Sequence, residues 1–160
     1  MKVLIFAPAP LSISPSQRFR YEHYIHDPSI PSDLHFEHHS FFSSKSWAVL
    51  FKKGFLLKKT AGIIDGIIRT MFILFKMKSY DVVYVHRGII PVGPPFVEWI
   101  IARIFRKKLI FDFDDSIWVR TASAANPLAT FLKFNSKVKH ICSYSRIVSV
   151  GNEYLAEYAR

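Results

Sequence analysis

A chain of 160 residues is long enough for one domain with a substantial core and too short for two of ordinary size. Hydrophobic residues make up 50% of it and aromatic ones 16%, which excludes an intrinsically disordered chain. Lys and Arg number 22 against 12 Asp and Glu, and the formal net charge of +10 favours an anionic partner such as nucleic acid, a membrane surface or a phosphorylated substrate.

Lys2–Ala7 (KVLIFA) is a short continuous apolar run closed by Pro8 and Pro10, the form of a strand buried on both faces of a parallel sheet. After a loop rich in Pro and Ser, residues 16–26 (SQRFRYEHYIH) open a helix with Ser16 as its N-cap, ended by Pro28 and Pro31. Residues 34–42 (LHFEHHSFF) read as a second strand, and 46–76 as helical, with breaks near Gly54 and Gly62. Within that helix Lys58, Gly62, Asp65, Arg69 and Lys76 recur at steps of four, three, four and seven and form one polar stripe. Its most apolar part, 61–75, is interrupted by Asp65 and Arg69 and falls short of the roughly 20 residues that span a bilayer. Residues 47–59 (WAVLFKKGFLLKK) interleave clustered lysines with Leu, Phe and Trp, as helices resting on anionic lipid do, although core packing also explains the apolar positions.

Residues 81–86 (DVVYVH) form the next strand, and Pro94 with Pro95 opens a helix running to Arg106. A strand over 108–113, a helix over 126–140, a strand over 146–150 and a last helix capped by Asn152 complete the chain. This alternation predicts an α/β domain over residues 1–160: a doubly wound, mostly parallel sheet with helices on both faces and ligands at the carboxyl ends of its strands. The loops at that edge are 8–20, 86–95, 114–126 and 151–152. The single cysteine, Cys142, has no partner for an internal disulfide, and MKVLIFAPAP lacks the apolar core of a signal peptide, so a cytoplasmic setting is expected.

The chain has no G-x-G-x-x-G after its first strand, no G-x-x-x-x-G-K-[ST] and no G-x-S-x-G, so the commonest phosphate-cradling and nucleophile motifs are excluded. KLIFDFDDSIW (108–118) places Asp112, Asp114 and Asp115 directly after an apolar strand. Alternation sends Asp112 and Asp114 to one face and Asp115 elsewhere, so a three-carboxylate metal site is not implied. A turn cap, a polar role in an active site and a metal ligand remain the alternatives. His38 and His39 face opposite ways on a strand, make a poor zinc chelate and, with His35, are expected at the surface. His86 and Arg87 end a strand where ligands bind and together suit an anion, with a structural role for His86 as the alternative. Arg18 and Arg20, where a loop meets a helix N-terminus, suit a phosphate or carboxylate, or are a surface pair. Glu98 either complements a helix dipole or is a buried acid paired with Arg87.

In their order, KVLIFAP, SQRFRYEHY, YDVVYVHRG, PPFVEWIIARIFRKKLIFDFDDSIW and SRIVSVGNEYLAEYAR resemble the N-terminal lobe of a GT-B glycosyltransferase of glycosyltransferase family four. The likeness covers nearly the whole chain and is weakest over 43–79. It implies transfer of a sugar, of the hexosyltransferase type, from a nucleotide-sugar donor to a carbohydrate acceptor with retention at the anomeric carbon. It implies no required metal and no cofactor beyond the donor substrate. In this family the N-lobe mostly holds the acceptor and a C-lobe the donor. The family's Glu-rich donor motif has no counterpart in these residues, so the fragment is expected to be inactive alone. Asp114 and Asp115 stand where many members have a histidine and would hydrogen-bond the acceptor or the transferring sugar as the catalytic carboxylates. Arg18, Arg20, His86, Arg87 and Asn152 would bind substrate.

A basic lobe fits a lipid-linked or phosphorylated acceptor, as in surface-polysaccharide synthesis, and peripheral contact with the anionic inner face of the cytoplasmic membrane. No nucleic acid is expected, because the aromatics fall mainly in periodic apolar segments. The competing class is a non-catalytic basic module for an anionic partner, which binding with a steep salt dependence would reveal. A doubly wound sugar-phosphate isomerase or epimerase lacks a visible cofactor motif and ranks below both.

Overall fold

The computed structural model describes residues 1–118 and 136–160. Its strands are β1 (Lys2–Ala7), β2 (His35–Ser40), β3 (Val82–His86), β4 (Lys108–Phe113) and β5 (Ile147–Val150). All neighbouring pairs are parallel and the order is β2-β1-β3-β4-β5, so the expected α/β fold is observed. The order reverses between β1 and β3, the point at which doubly wound sheets open a crevice at their carboxyl edge.

The helical run α1 consists of Pro15–Gln17, a π-helical Arg18–Glu22 and His23–Ile25. Next come α2 (Ser44–Leu50) and α3 (Leu56–Phe75). Helix α4 runs from Phe96–Trp99 into a π-helical turn, Ile100–Ile104, and α5 (Lys137–Tyr144) and α6 (Glu153–Ala159) follow. Alternation along the strands splits the core in two. Leu4, Phe6, Val83, Val85, Leu109, Phe111 and Phe113 pack on one face with Leu74, Val97, Ile101, Ile141 and Leu155 from α3 to α6. Val3, Ile5 and Ala7 pack on the other against Tyr21 and Ile25 of α1.

Several expectations need correction. The helix over 46–76 does break at Gly54 (φ +78°), where Phe55 (φ 56°) is also left-handed and a right-handed helix cannot continue. Gly62 does not break it but sits buried inside α3, so the polar stripe is interrupted there, and Asp65 pairs with Arg69 at 3.0 Å. The segment 47–59 is accordingly two helix pieces and a turn. Ser16 is not the N-cap of α1; that position is Ser14. His35 is exposed as expected, but His38 and His39 are half-buried: His38 Nε2 lies 3.0 Å from the Tyr21 hydroxyl, and the His39 ring meets Phe6 edge-on at 5.3 Å. Burial, with Arg69 and His38 adding to it, lowers the His39 pKa to about 4. Residues 126–135 of the expected 126–140 helix, and the loop 114–126 beyond Trp118, lie outside the described residues.

Candidate active site

His86 of β3, Asp112 of β4 and Ser149 of β5 are register partners across the sheet, so their side chains rise in a row on one face. This is the face that α1 covers, and Arg20 reaches onto the row from α1. Its Nε donates to Asp112 Oδ1 at 3.0 Å, and its Nη2 donates to Asp112 and, at 2.8 Å, to Ser149 Oγ. His86 Nδ1 lies 2.8 Å from Asp112 Oδ2, and His86 Nε2 lies 3.0 Å from Ser16 Oγ. His86 and Asp112 are both buried. Burial pushes Asp112 up, but the hydrogen bonds and charges of His86 and Arg20 outweigh it and hold the carboxyl at about 2. An ionised Asp112 can only accept, so Nδ1 carries a proton, and Nε2 shares a hydrogen bond with the Ser16 hydroxyl.

Arg87, next along the chain, has φ 62° and is followed by Gly88 at φ +125°. A non-glycine residue in that region is uncommon and costs about 1 kcal/mol. Here the turn is held by the Arg87 N–H, which donates to the Asp112 carbonyl at 2.8 Å. It brings the guanidinium over the strand ends, where Nε and Nη2 donate to Asp114 Oδ1 at 3.0 and 2.8 Å and Nη2 also meets the Asp115 carboxylate. Burial raises Asp114, but hydrogen bonds from Ser16 and Arg87 prevail, and its pKa lies below the ordinary value. Ser16 thus stands between the buried His86 and the cleft carboxylate.

The structure gathers Arg20, His86, Arg87, Asp114 and Asp115 into one site. Arg18 and Asn152 are elsewhere employed. Arg18 is exposed, two positions from Arg20 and so on another side of α1. Asn152 caps α6, its Oδ1 accepting the Leu155 N–H at 3.0 Å. We expect Asn152→Ala to cost about 1 kcal/mol in stability by loss of that cap; unchanged thermal unfolding would show the cap to be idle. Glu98 does not pair with Arg87: its Oε1 accepts the Ile89 N–H at 2.9 Å, and Oε2 has no partner among the described residues. Burial raises the Glu98 pKa, against the opposing effect of nearby Lys137.

Sequence reasoning left Asp112 out of the working carboxylates and missed Gln17 and Glu22. The Gln17 amide exchanges hydrogen bonds with the N–H and C=O of Ala9 at 3.0 and 3.1 Å, and Glu22 Oε2 accepts the Ser12 N–H at 2.9 Å. These two side chains pin the β1–α1 loop and so place Ser16. The available signal was a Gln and a Glu flanking two arginines in SQRFRYE, too weak to interpret without the loop.

Beside the carboxylates, Trp47, Phe51, Trp118, Arg87 and Lys137 line a cavity of about 410 Å³ between α2 and the strand ends. Arg87 belongs to both. A hollow of about 560 Å³ between α2 and α3 is larger but shallow and distant from the carboxylates, so we do not assign it the chemistry. Among the described residues no three His, Cys, Asp or Glu side chains are placed to hold a metal ion. No protein-family model matches this chain, and no curated protein matches it.

Proposed function

We propose that this domain is the acceptor-holding lobe of a retaining glycosyltransferase that draws its sugar from a nucleotide-sugar donor held by a second lobe. One observation carries the reading: Ser16, Arg20, His86, Arg87, Asp112, Asp114 and Asp115, from three separated stretches, converge at the carboxyl edge where the strand order reverses. Asp114 and Asp115 are acceptors suited to neighbouring hydroxyls of a sugar ring, and Arg87 fixes their direction. The Asp112–His86–Ser16 chain orients one hydroxyl beside them. The bond from the anomeric carbon to the donor phosphate breaks as the bond to the acceptor oxygen forms on the same face. The acceptor proton passes to the leaving phosphate, so the carboxylates of this lobe orient substrate and need not serve as nucleophile.

The test is saturation-transfer NMR of the chain with a panel of hexoses, hexosamines and short oligosaccharides. A saccharide that binds should bind Asp114→Asn and Arg87→Ala about tenfold more weakly, the scale of one or two lost charge-assisted hydrogen bonds. A panel without a binder, alongside salt-sensitive capture of an oligonucleotide, would replace this reading with the basic-module one.

A further inference from the structure

Helix α3 is inverted relative to an ordinary surface helix, which buries its large apolar side chains. Its fully buried positions are Lys59, Gly62, Gly66, Thr70 and Leu74, of which only the last is a large apolar group, and Met71 and Ile73 reach the core half-buried beside it. Leu57, Ile64, Ile68, Phe72 and Phe75 follow at steps of seven, four, four and three and form a stripe along one side. Gly66 is two positions from both Ile64 and Ile68, so the stripe lies opposite the buried side. Leu57 and Phe75 are 87% and 84% exposed, and Ile64, Ile68 and Phe72 are 53%, 50% and 66% exposed. The stripe is about 27 Å long.

A contiguous apolar surface of this kind marks a docking face. Its surroundings select the occupant. The one acid of α3, Asp65, lies beside the stripe and is paired with Arg69. Lys52, Lys53 and Lys58 are exposed at one end and Lys76 and Lys78 at the other. A second copy would set these lysines against themselves in a chain of net charge +10, whereas an anionic lipid surface would neutralise them. We infer that α3 lies flat on an anionic bilayer, its stripe in the boundary between headgroups and acyl chains and its flanking lysines at the level of the lipid phosphates. Among the described residues no helix is long and apolar enough to cross a membrane. The inference stands apart from the sugar chemistry, although Phe51, a wall of the 410 Å³ cavity and 68% exposed, belongs to the same end of the surface.

The experiment is co-sedimentation of the chain with vesicles of phosphatidylcholine alone and of phosphatidylcholine mixed with phosphatidylglycerol, at low and high salt. Binding to the mixed vesicles that weakens with salt is expected. Combined Ile64→Ser, Ile68→Ser and Phe72→Ser should weaken it about tenfold or more without loss of the folded circular-dichroism signal, since these side chains face away from the core. Combined Lys52→Gln, Lys53→Gln and Lys58→Gln should weaken it about tenfold or more on the mixed vesicles only. Absence of binding to the mixed vesicles, or equal binding by the serine variant, overturns the inference. So does a dimer that the serine variant converts to monomer while neither form binds vesicles, which would assign the face to a second copy. Saccharide titrations run without vesicles, so failure of either reading is distinguishable from failure of the other.

Discussion

Asp112→Ala is expected to lower the stability of the domain by about 3 kcal/mol, read as a shifted midpoint in urea unfolding. The substitution leaves the buried His86 Nδ1–H without its acceptor and the Arg20 guanidinium with Ser149 Oγ as its remaining partner in the row. Asp112→Asn keeps the volume and one acceptor but turns an amide toward one of two donors, so an intermediate loss is expected. The wild-type acid limb carries the same signature. Asp112 titrates at about 2 in the fold against an ordinary 3.8, a depressed value, so its contribution is full above pH 3.8 and is lost as pH falls toward 2. That contribution is roughly 2 kcal/mol, and the alanine variant should show a correspondingly shallower decline over this window. An unchanged midpoint together with an unchanged acid limb would mean that the His86–Asp112–Arg20 row does not hold the sheet edge together.

What the residues disclosed, and what they hid, follows from the range of each interaction. β1, β3 and β4 were legible because strands buried on both faces read as unbroken apolar runs, and KLIFDF matches β4 residue for residue. Alternation was expected to set Asp115 apart from Asp114, but β4 ends at Phe113, and both carboxylates meet Arg87 while Asp112 is held by Arg20 and His86. That His86 lies beside Asp112 was not legible, because it needs β3 and β4 to be neighbours in one particular register, a long-range fact absent from either segment. His38 and His39 of β2 misled for a similar reason: HFEHHS is polar in composition, but Tyr21 and Phe6 supply partners from elsewhere in the chain. Left-handed Arg87 was equally hidden. Its conformation is stabilised by the Asp112 carbonyl, and no local sequence rule assigns an arginine there. Gly54 and Gly62 looked alike as breaks, yet one turns the chain and the other admits a neighbouring helix.

Close approach makes Gly66→Ala the second large effect. A Cβ at this position would lie 2.6 Å from the Phe41 carbonyl oxygen and 2.8 Å from two carbons of the Phe41 ring. Phe41 is 1% exposed and packs edge-on against Phe42 at 4.9 Å, so its ring has no free space to enter. The nearest atom is backbone, and no rotamer change removes it. α3 must therefore shift outward, drawing Arg69 away from the Ser40 and Phe41 carbonyls it binds at 3.0 and 2.6 Å. Alanine gains about 1 kcal/mol over glycine in helix propensity, but overpacking of this severity costs about 3 kcal/mol, leaving a net loss of roughly 2 kcal/mol. For a domain of this size that corresponds to a drop of about 5 °C in Tm. Gly62→Ala is the comparison: its nearest atoms, at 2.8 Å, are the Cβ and Oγ of Ser46, and Ser46 lies on the short helix α2, which can yield. There the propensity gain offsets most of the cost, and a change of less than about 1 kcal/mol is expected. Equal melting temperatures for Gly66→Ala and wild type would mean that α3 does not rest on residue 41, and the outward direction of its apolar stripe would lose its structural basis.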